Sequence, residues 1–446
     1  MSMDKPIKPF HHALGIRKEI CIGCSRCLRV CPTEALRVKD GKASLHPEWC
    51  IDCGECFNVC PVKAVVVEDD DIAQIFNYKH RILLVPSVFF AQFEEKLTLD
   101  AIKGILYDMG FTELCTVEQG ADLLVDEINR YIQEYEGEKP VISSYCPAVV
   151  RLIQVRFPSF ADRIMRLIPP LEITAQYYRN EYKKHDVPLE DVGIFYVTPC
   201  AAKIAAIKAP VGGYVSPING VINMSELYNK VFLAYKQKGI YEHEHCALPH
   251  SMLSSVGVRW STTCGEAANI RGRALAIDSM PNVIDFLERL ENEEIKGVDF
   301  LELRACDMSC CGGILVQDNR FLIRERIEKT AEELPAKHAL DQEFKNVCSG
   351  YIPMETVEPR AMIKYHKDLT MALQRMEESR RLRRILPGID CNACGAPSCE
   401  ALADDIVCSR ATLEHCVILH AHNKDPEMLE KIWGKNRFNK KNQDKI

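Results

Sequence analysis

Residues 21–32 read CIGCSRCLRVCP and residues 50–61 read CIDCGECFNVCP, two copies of one C-x2-C-x2-C-x3-C-P frame. The whole chain has 22 cysteines in 446 residues. A disulfide scaffold is usually short and secreted, whereas this chain is long. Its first residues, MSMDKPIKPFHHALG, lack the apolar core of a secretory signal, so a cytoplasmic location is expected. Metal ligation by thiolates is the reading left. The formal charge of −7, from 56 basic and 63 acidic residues, argues against nucleic acid as a main partner, which needs a basic footprint. No apolar run reaches the ~18–20 residues of a membrane span. At 47% hydrophobic and 27% charged residues the chain can bury a core. Its length suggests about three domains at roughly 150 residues each.

The repeated frame is that of the bacterial two-cluster ferredoxins, in which the fourth cysteine of each run ligates the other cluster. Cys21, Cys24, Cys27 and Cys60 are expected to hold one 4Fe–4S cluster, and Cys50, Cys53, Cys56 and Cys31 the second. Pro32 and Pro61 end each ligand loop. Zinc also accepts four thiolates, but eight cysteines and a terminal proline in both copies favour iron and sulfur. Near the carboxyl end, CNACGAPSCEALADDIVCSRATLEHC contains the frame C-x2-C-x4-C-x16-C at Cys391, Cys394, Cys399 and Cys416. It resembles a small 4Fe–4S module of several redox proteins, with Gly395 and Ala403 as in that family and Ser409 where a glycine is usual. The looser spacing leaves zinc open there. Cys408 falls outside the frame and is expected to be a buried thiol.

Between these groups, residues 76–350 alternate strand and helix, an α/β pattern. RILLV (81–85), PVIS (140–143), GIFYV (193–197) and VDFLEL (298–303) are short apolar runs of the kind that form buried parallel strands. Helices are expected over 92–109 and 119–136, stopped by Gly110 and Gly137. Each strand is followed by an unusual peptide: Pro86-Ser87, Tyr145-Cys146-Pro147, Thr198-Pro199-Cys200 and Arg304-Ala305-Cys306. Ligand sites of open α/β sheets lie beyond the carboxyl ends of the strands, so these turns are candidates for one buried site.

SSYCPAVVRL, VTPCAAK and LRACDMSCCGG resemble, in this order, three motifs of the iron-only hydrogenases, and VPSV resembles an earlier loop of that family. The resemblance covers about residues 1–350, with the carboxyl module an accessory of some members. It implies an H-cluster: a 4Fe–4S cubane joined through one cysteine sulfur to a two-iron centre carrying CO and cyanide. Cys146, Cys200 and Cys306 match three cubane ligands, and Cys310 matches the thiolate shared with the two irons. Pro86, Ser87 and Lys203 match residues that hold the cyanides, a role that suits the compact lysine cation and neighbouring donors that orient the metal. The family's maturation proteins supply the two-iron centre, so its occupancy is expected to vary between preparations.

Departures from the pattern matter as much. Tyr145 stands where active members place a proton-transferring cysteine. A phenol with an ordinary pKa of ~10 is a poorer relay than a thiol at ~8.5. The relay serine falls near Met165 and Arg166, the glutamine facing CO or cyanide at Leu171, and a methionine before the third ligand at Arg304. Acid–base assistance contributes ~10²–10⁴-fold, so turnover is expected to be slow. The pattern resembles the sensory branch of the family. The implied function is slow, reversible oxidation of hydrogen to protons and electrons, relayed through three further 4Fe–4S clusters to an electron-transfer or signalling protein. Tyr145, Lys203 and Cys310 are the candidate catalytic residues. The alternative is a non-catalytic iron–sulfur carrier or scaffold without the two irons.

The expected organisation is a ferredoxin domain of α+β type (1–75), an H-cluster domain with two lobes of sheet flanked by helices (76–355), a charged helical linker (356–385), and a helical 4Fe–4S module with a basic tail (386–446). Cys264 is either a substitute proton donor or a buried thiol, and Cys311 is a reserve thiol beside the cluster. His243, His245, Cys246 and His250 fit no common zinc frame.

Overall fold

The computed structural model describes residues 10–94, 97–238, 253–336, 354–360, 365–366 and 368–424. The chain divides into two compact units, one made of residues up to 14, 51–54 and 67–360, the other of 15–50, 55–66 and 361 onward. The histidine-rich stretch 243–250, Cys348 and the basic tail lie outside the described residues.

In the second unit, β1 (Leu14–Ile16) pairs with β4 (Val65–Val67), and β2 (Leu36–Lys39) forms an antiparallel hairpin with β3 (Lys42–Leu45). The two cysteine runs share one backbone design. Gly23 and Asp52 occupy equivalent places with φ of 66° and 53°, Ser25 and Gly54 with 61° and 86°, and Glu34 and Lys63 with 51° and 53°. Such left-handed residues turn the chain sharply, and each run then enters a short helix, Arg26–Val30 or Glu55–Val59. In the same unit, the helix Leu369–Ile385 packs on the helix Cys399–Val407. The charged helix expected over 356–385 is therefore shorter, because Asp368 caps it by accepting the Met371 N–H. Ser379 and Tyr365 both donate to the buried Asp404 of the second helix.

The larger unit contains two parallel sheets, as the α/β reading predicts. The first has the order β6 (Glu113–Thr116), β5 (His80–Val85), β8 (Val192–Thr198), β9 (Gly220–Asn223), with Ile82 opposite both Glu113 and Ile194. The second has the order β10 (Ala274–Ile277), β11 (Phe300–Leu303), β7 (Val141–Ile142). All four expected strands form. β6, β9 and β10 are additional. The helix expected over 92–109 is the helix Leu99–Asp108, capped by Thr98, preceded by the separate turn Ser87–Phe90. The helix expected over 119–136 spans Gln119–Glu134. Leu83, Val85, Ile105, Phe195 and Val197 form one core, and Ile128, Val141, Ile173 and Phe300 another. β7, β8, β9 and β11 are buried along their whole length, as parallel strands covered by helices must be, whereas β10 is half-buried.

Asp52 belongs to this larger unit and is wholly buried. Its carboxylate accepts the Ala13 and Leu14 N–H groups and the Arg151 guanidinium, the last at 2.6 Å. Arg151 is itself buried, so each charge satisfies the other.

Candidate metal centre and its pocket

The carboxyl ends of strands from both sheets carry the dispersed cysteines. Cys146 is the N-cap residue of the helix Pro147–Arg156, and Cys200 that of Ala201–Lys208. Proline at the first helical position suits its fixed φ, and a helix amino terminus favours a thiolate. Cys306 follows β11, and Cys310 lies in the tight turn Ser309–Gly312. Met308 and Ser309, at φ 61° and 55°, are two successive left-handed residues just before Cys310. Such backbone persists only where its surroundings hold it. Here Asp278 accepts the Met308 N–H, and Cys310 donates its own N–H to Ser261 O. A Cβ on Gly313 would sit 2.5 Å from Pro199 O, so glycine lets the Cys310 turn press against the Cys200 turn.

The four thiols, spread over more than 160 positions of sequence, meet. Burial, then Cys200, Cys146 and Cys310, push the Cys306 thiol well above its ordinary value. Cys53 acts on Cys306 in the same direction. Cys200 is pushed up to about 12 by burial, against the pull of Lys203, with Cys310 and Cys146 adding to the rise. The candidate residues surround Cys310. The Tyr145 hydroxyl lies 3.8 Å and Lys203 Nζ 3.7 Å from its Sγ, and Lys203 donates to the Tyr145 hydroxyl at 3.3 Å. Burial, then Cys310, holds the Tyr145 phenol well above its usual pKa. Lys203 is held above its ordinary value because Cys310, Tyr145, Tyr196 and Cys200 together outweigh burial.

Beside these groups is a small pocket lined by Pro86, Tyr145, Leu171, Lys203 and Trp260 among others. Leu171 thus lines the pocket without offering the amide that its position implies. Ser87 donates through Oγ to Val258 O and sits 3.2 Å from Ser261 Oγ, and its N–H bonds Glu118 Oε1 at 2.5 Å. The Trp260 indole N–H and Glu118 Oε2 are buried with no hydrogen-bond partner among the described residues, although both residues line the pocket. Unpartnered buried polar atoms are costly. Four convergent thiols, a buried ammonium and spare polar atoms fit a metal cluster with polar diatomic ligands.

Arg304 is reached by the charge of Cys310 but makes its contacts with Tyr145 and two carboxylates. Its guanidinium stacks on the Tyr145 ring at 3.9 Å and pairs with Glu302 at 3.2 Å and Glu266 at 3.1 Å, all three groups buried. Ser143 also donates to Glu266, whose pKa rises to about 7, chiefly through burial and despite Arg304. Sequence reading missed Glu302, Glu266, Glu118 and Trp260. A glutamate inside the apolar strand FLEL, two residues from an arginine on the same face, was the available signal for the first of them.

Cys264 corrects both expectations made for it. It is neither a buried thiol nor placed at the pocket: it is exposed, with its N–H donated to Glu302. Cys408 is half-buried rather than buried, and the groups that shift it are Arg410, Arg375, Asp404 and Asp405, after burial. Cys311 is wholly buried in the apolar core, at about 12, raised by burial and then Cys310, and offers no accessible thiol.

The local cysteine groups also assemble. Cys27 is pushed up to about 11 by burial, with contributions from Cys24, Cys21 and Cys60. Cys56 is raised by burial and then by Cys50 and Cys31. The Ala35 and Ala64 N–H groups, at equivalent places of the repeat, point at Cys31 and Cys60 Sγ at 3.2 and 3.1 Å. Cys394 is raised by burial and then by Cys391, Cys416 and Cys399, which brings the carboxyl four together.

Residues 79–232 match the family model of the iron-only hydrogenase large subunit, C-terminal domain. Residues 20–64 match a 4Fe-4S dicluster domain, and residues 386–418 a model described as a putative Fe-S cluster. No curated protein matches the chain. Among solved structures, an FeFe-hydrogenase HydA1 from Chlamydomonas reinhardtii is 15% identical with a TM-score of 0.47. A HydA structure concerned with stepwise H-cluster assembly is 14% identical with a TM-score of 0.46. Each comparison covers 62% of this chain and 93% of the other.

Proposed function

We propose, from the premise that this chain is an iron-only-hydrogenase-like protein with a ferredoxin-type dicluster domain before that region and an Fe–S module after it, that it oxidises hydrogen slowly and reversibly and serves as a hydrogen or redox sensor. The observation that carries the reading is the meeting of Cys146, Cys200, Cys306 and Cys310 beside a pocket walled by Tyr145 and Lys203. These thiols would hold the cubane, with Cys310 as the bridge to the two irons. When bound, the H-cluster supplies the Lewis acid that polarises hydrogen for heterolytic cleavage. The protein's own groups do the rest. Lys203 presents a buried cation and three donors to anionic ligands. Ser87 adds a hydroxyl from the turn after β5. Cys53, which acts on Cys306 within the same unit, is expected to ligate the second dicluster centre, which makes it the entry for electrons. Cys21, Cys24, Cys27 and Cys60, then Cys50, Cys56 and Cys31, then Cys391, Cys394, Cys399 and Cys416 would complete the relay to a protein partner.

Slow turnover follows from a phenol standing where a thiol would pass protons: Tyr145 at 3.8 Å from Cys310 Sγ has the place but not the acidity. Arg304, stacked on its ring and paired to two buried carboxylates, fixes that phenol.

Infrared spectra of anaerobic, fully matured protein test the assignment. CO and cyanide stretching bands are expected. Matured protein without them would be the non-catalytic carrier. Tyr145→Cys tests the rate argument, with turnover expected to rise at least tenfold while the bands persist.

A further inference from the structure

Glu118 lines two cavities at once. One is the small pocket that holds Tyr145 and Lys203 in its wall. The other is a cleft lined by Ser87, whose residues Glu94, Lys329 and Thr330 are exposed. The side chain is buried, one carboxylate oxygen accepts the Ser87 N–H, and the other has no partner among the described residues. A carboxyl kept with one idle oxygen between an inner pocket and a solvent-lined cleft contributes nothing evident to packing.

We propose that Glu118 is the proton-relay residue of this protein, carrying protons between the inner pocket and the water of the outer cleft. The inference rests on the hydrogenase reading above. Hydrogen oxidation gives two protons and two electrons. The electrons leave through the 4Fe–4S clusters, and each proton leaves through Glu118. The carboxylate accepts it, forming an O–H bond on the idle oxygen. Cleft water then takes it as hydronium, restoring the carboxylate. Hydrogen evolution runs the same steps backwards.

The electrostatics suit this work. Burial raises the Glu118 pKa to about 7, although the Ser87 hydrogen bonds and Lys203 oppose the rise. A relay group works best when it titrates near the working pH. Lys203, Tyr145 and Tyr196 line the inner pocket with it, as do Glu172 and Tyr214. From the cleft side, Glu94, Arg326 and Lys329 are the charged groups. Of all these, Lys203 is the one that contributes to holding the Glu118 carboxyl down.

The test compares matured wild type with Glu118→Gln, which keeps the shape and cannot ionise, and with Glu118→Asp. All three are expected to show the CO and cyanide bands. The wild-type-minus-Glu118→Gln infrared difference shows in addition one protonated-carboxyl band that disappears as pH rises through about 7, over and above those of Glu172 and Glu266, which both proteins share. HD formation from D₂ falls about 10²–10⁴-fold in Glu118→Gln and is partly restored in Glu118→Asp. Unchanged exchange with an unchanged pH profile overturns the relay, and so does loss of the CO and cyanide bands in Glu118→Gln, which makes Glu118 a structural wall. If wild type itself lacks those bands, the hydrogenase reading has failed rather than the relay alone.

Discussion

The protein gathers thiols in two different ways. In the repeated run and in the carboxyl module the cysteines are sequence neighbours, and the local backbone places them. Left-handed residues at matching positions, a short helix and an N–H aimed at sulfur recur in both copies of the repeat. At the dispersed site no local frame exists. Two thiols sit at helix starts, two around strained turns, and buried sheets bring them together. A contiguous site is therefore specified by spacing and needs little core. A dispersed site is specified by the core, and its geometry is only as secure as the packing behind it. That second design surrounds the metal position with buried polar groups, which a surface loop cannot do.

Ligand removal separates the designs most sharply. Cys306→Ser should abolish the CO and cyanide bands and all hydrogen turnover while leaving the reduced-cluster paramagnetic signals of the local groups. Cys391→Ser should do the opposite, losing the signal of the carboxyl cluster alone. A Cys306→Ser protein that retains the bands breaks the dispersed assignment. Next in size is Asp52→Ala. The second copy of the repeat, unlike Gly23 in the first, uses this position to neutralise Arg151 inside the larger unit. Removing one partner of a buried pair costs about 3–5 kcal/mol, and anaerobic denaturant titration would measure it. A loss below 1 kcal/mol would mean that the pair is satisfied by other groups.

The same contrast explains what could be read before any coordinates. Spacing alone grouped the contiguous cysteines, and apolar runs located β5, β7, β8 and β11. The dispersed four were joined through a resemblance, because strand order is not written in any local pattern. The carboxylates escaped altogether. Glu118 follows a short strand that was itself unseen, and Glu266 lies far in sequence from the Arg304 that it meets. Buried charges are paired by tertiary structure, and one-dimensional patterns carry almost none of that information. Cys264 shows the converse error, a cysteine weighed on residue type alone and then found exposed.

A smaller effect probes the wall of the dispersed site through pH. Burial lifts Glu172 from 4.5 to about 7, and Ser216 donates to it at 2.8 Å. The folded protein thus binds this proton more tightly than the unfolded chain. Its contribution is undiminished below pH 4.5, falls as pH rises between the two values, and is a fixed penalty above about 7. Glu172→Gln keeps an oxygen for Ser216 and removes the charge. It should leave the apparent Tm unchanged at pH 4, below the unfolded value, and raise stability at pH 8 by roughly 1–3 kcal/mol. Equal effects at both pH values would show that Glu172 is already charged in the folded state.

The smallest effect belongs to the carboxyl module and asks how local a contiguous site is. Ser398 caps the helix Cys399–Val407, accepting the Ala401 N–H at 3.0 Å one residue before a candidate ligand. Ser398→Ala removes that acceptor and should cost about 1 kcal/mol, a usual value for such a cap. Because Cys394, Cys391 and Cys416 are grouped with Cys399 through their own loops, the loss should appear as faster release of iron from this module under chelator. Infrared bands and hydrogen turnover should not move. If the cap variant also slows turnover, the module is coupled to the dispersed centre more tightly than a peripheral relay requires, and the division between locally and globally built sites would have to be redrawn.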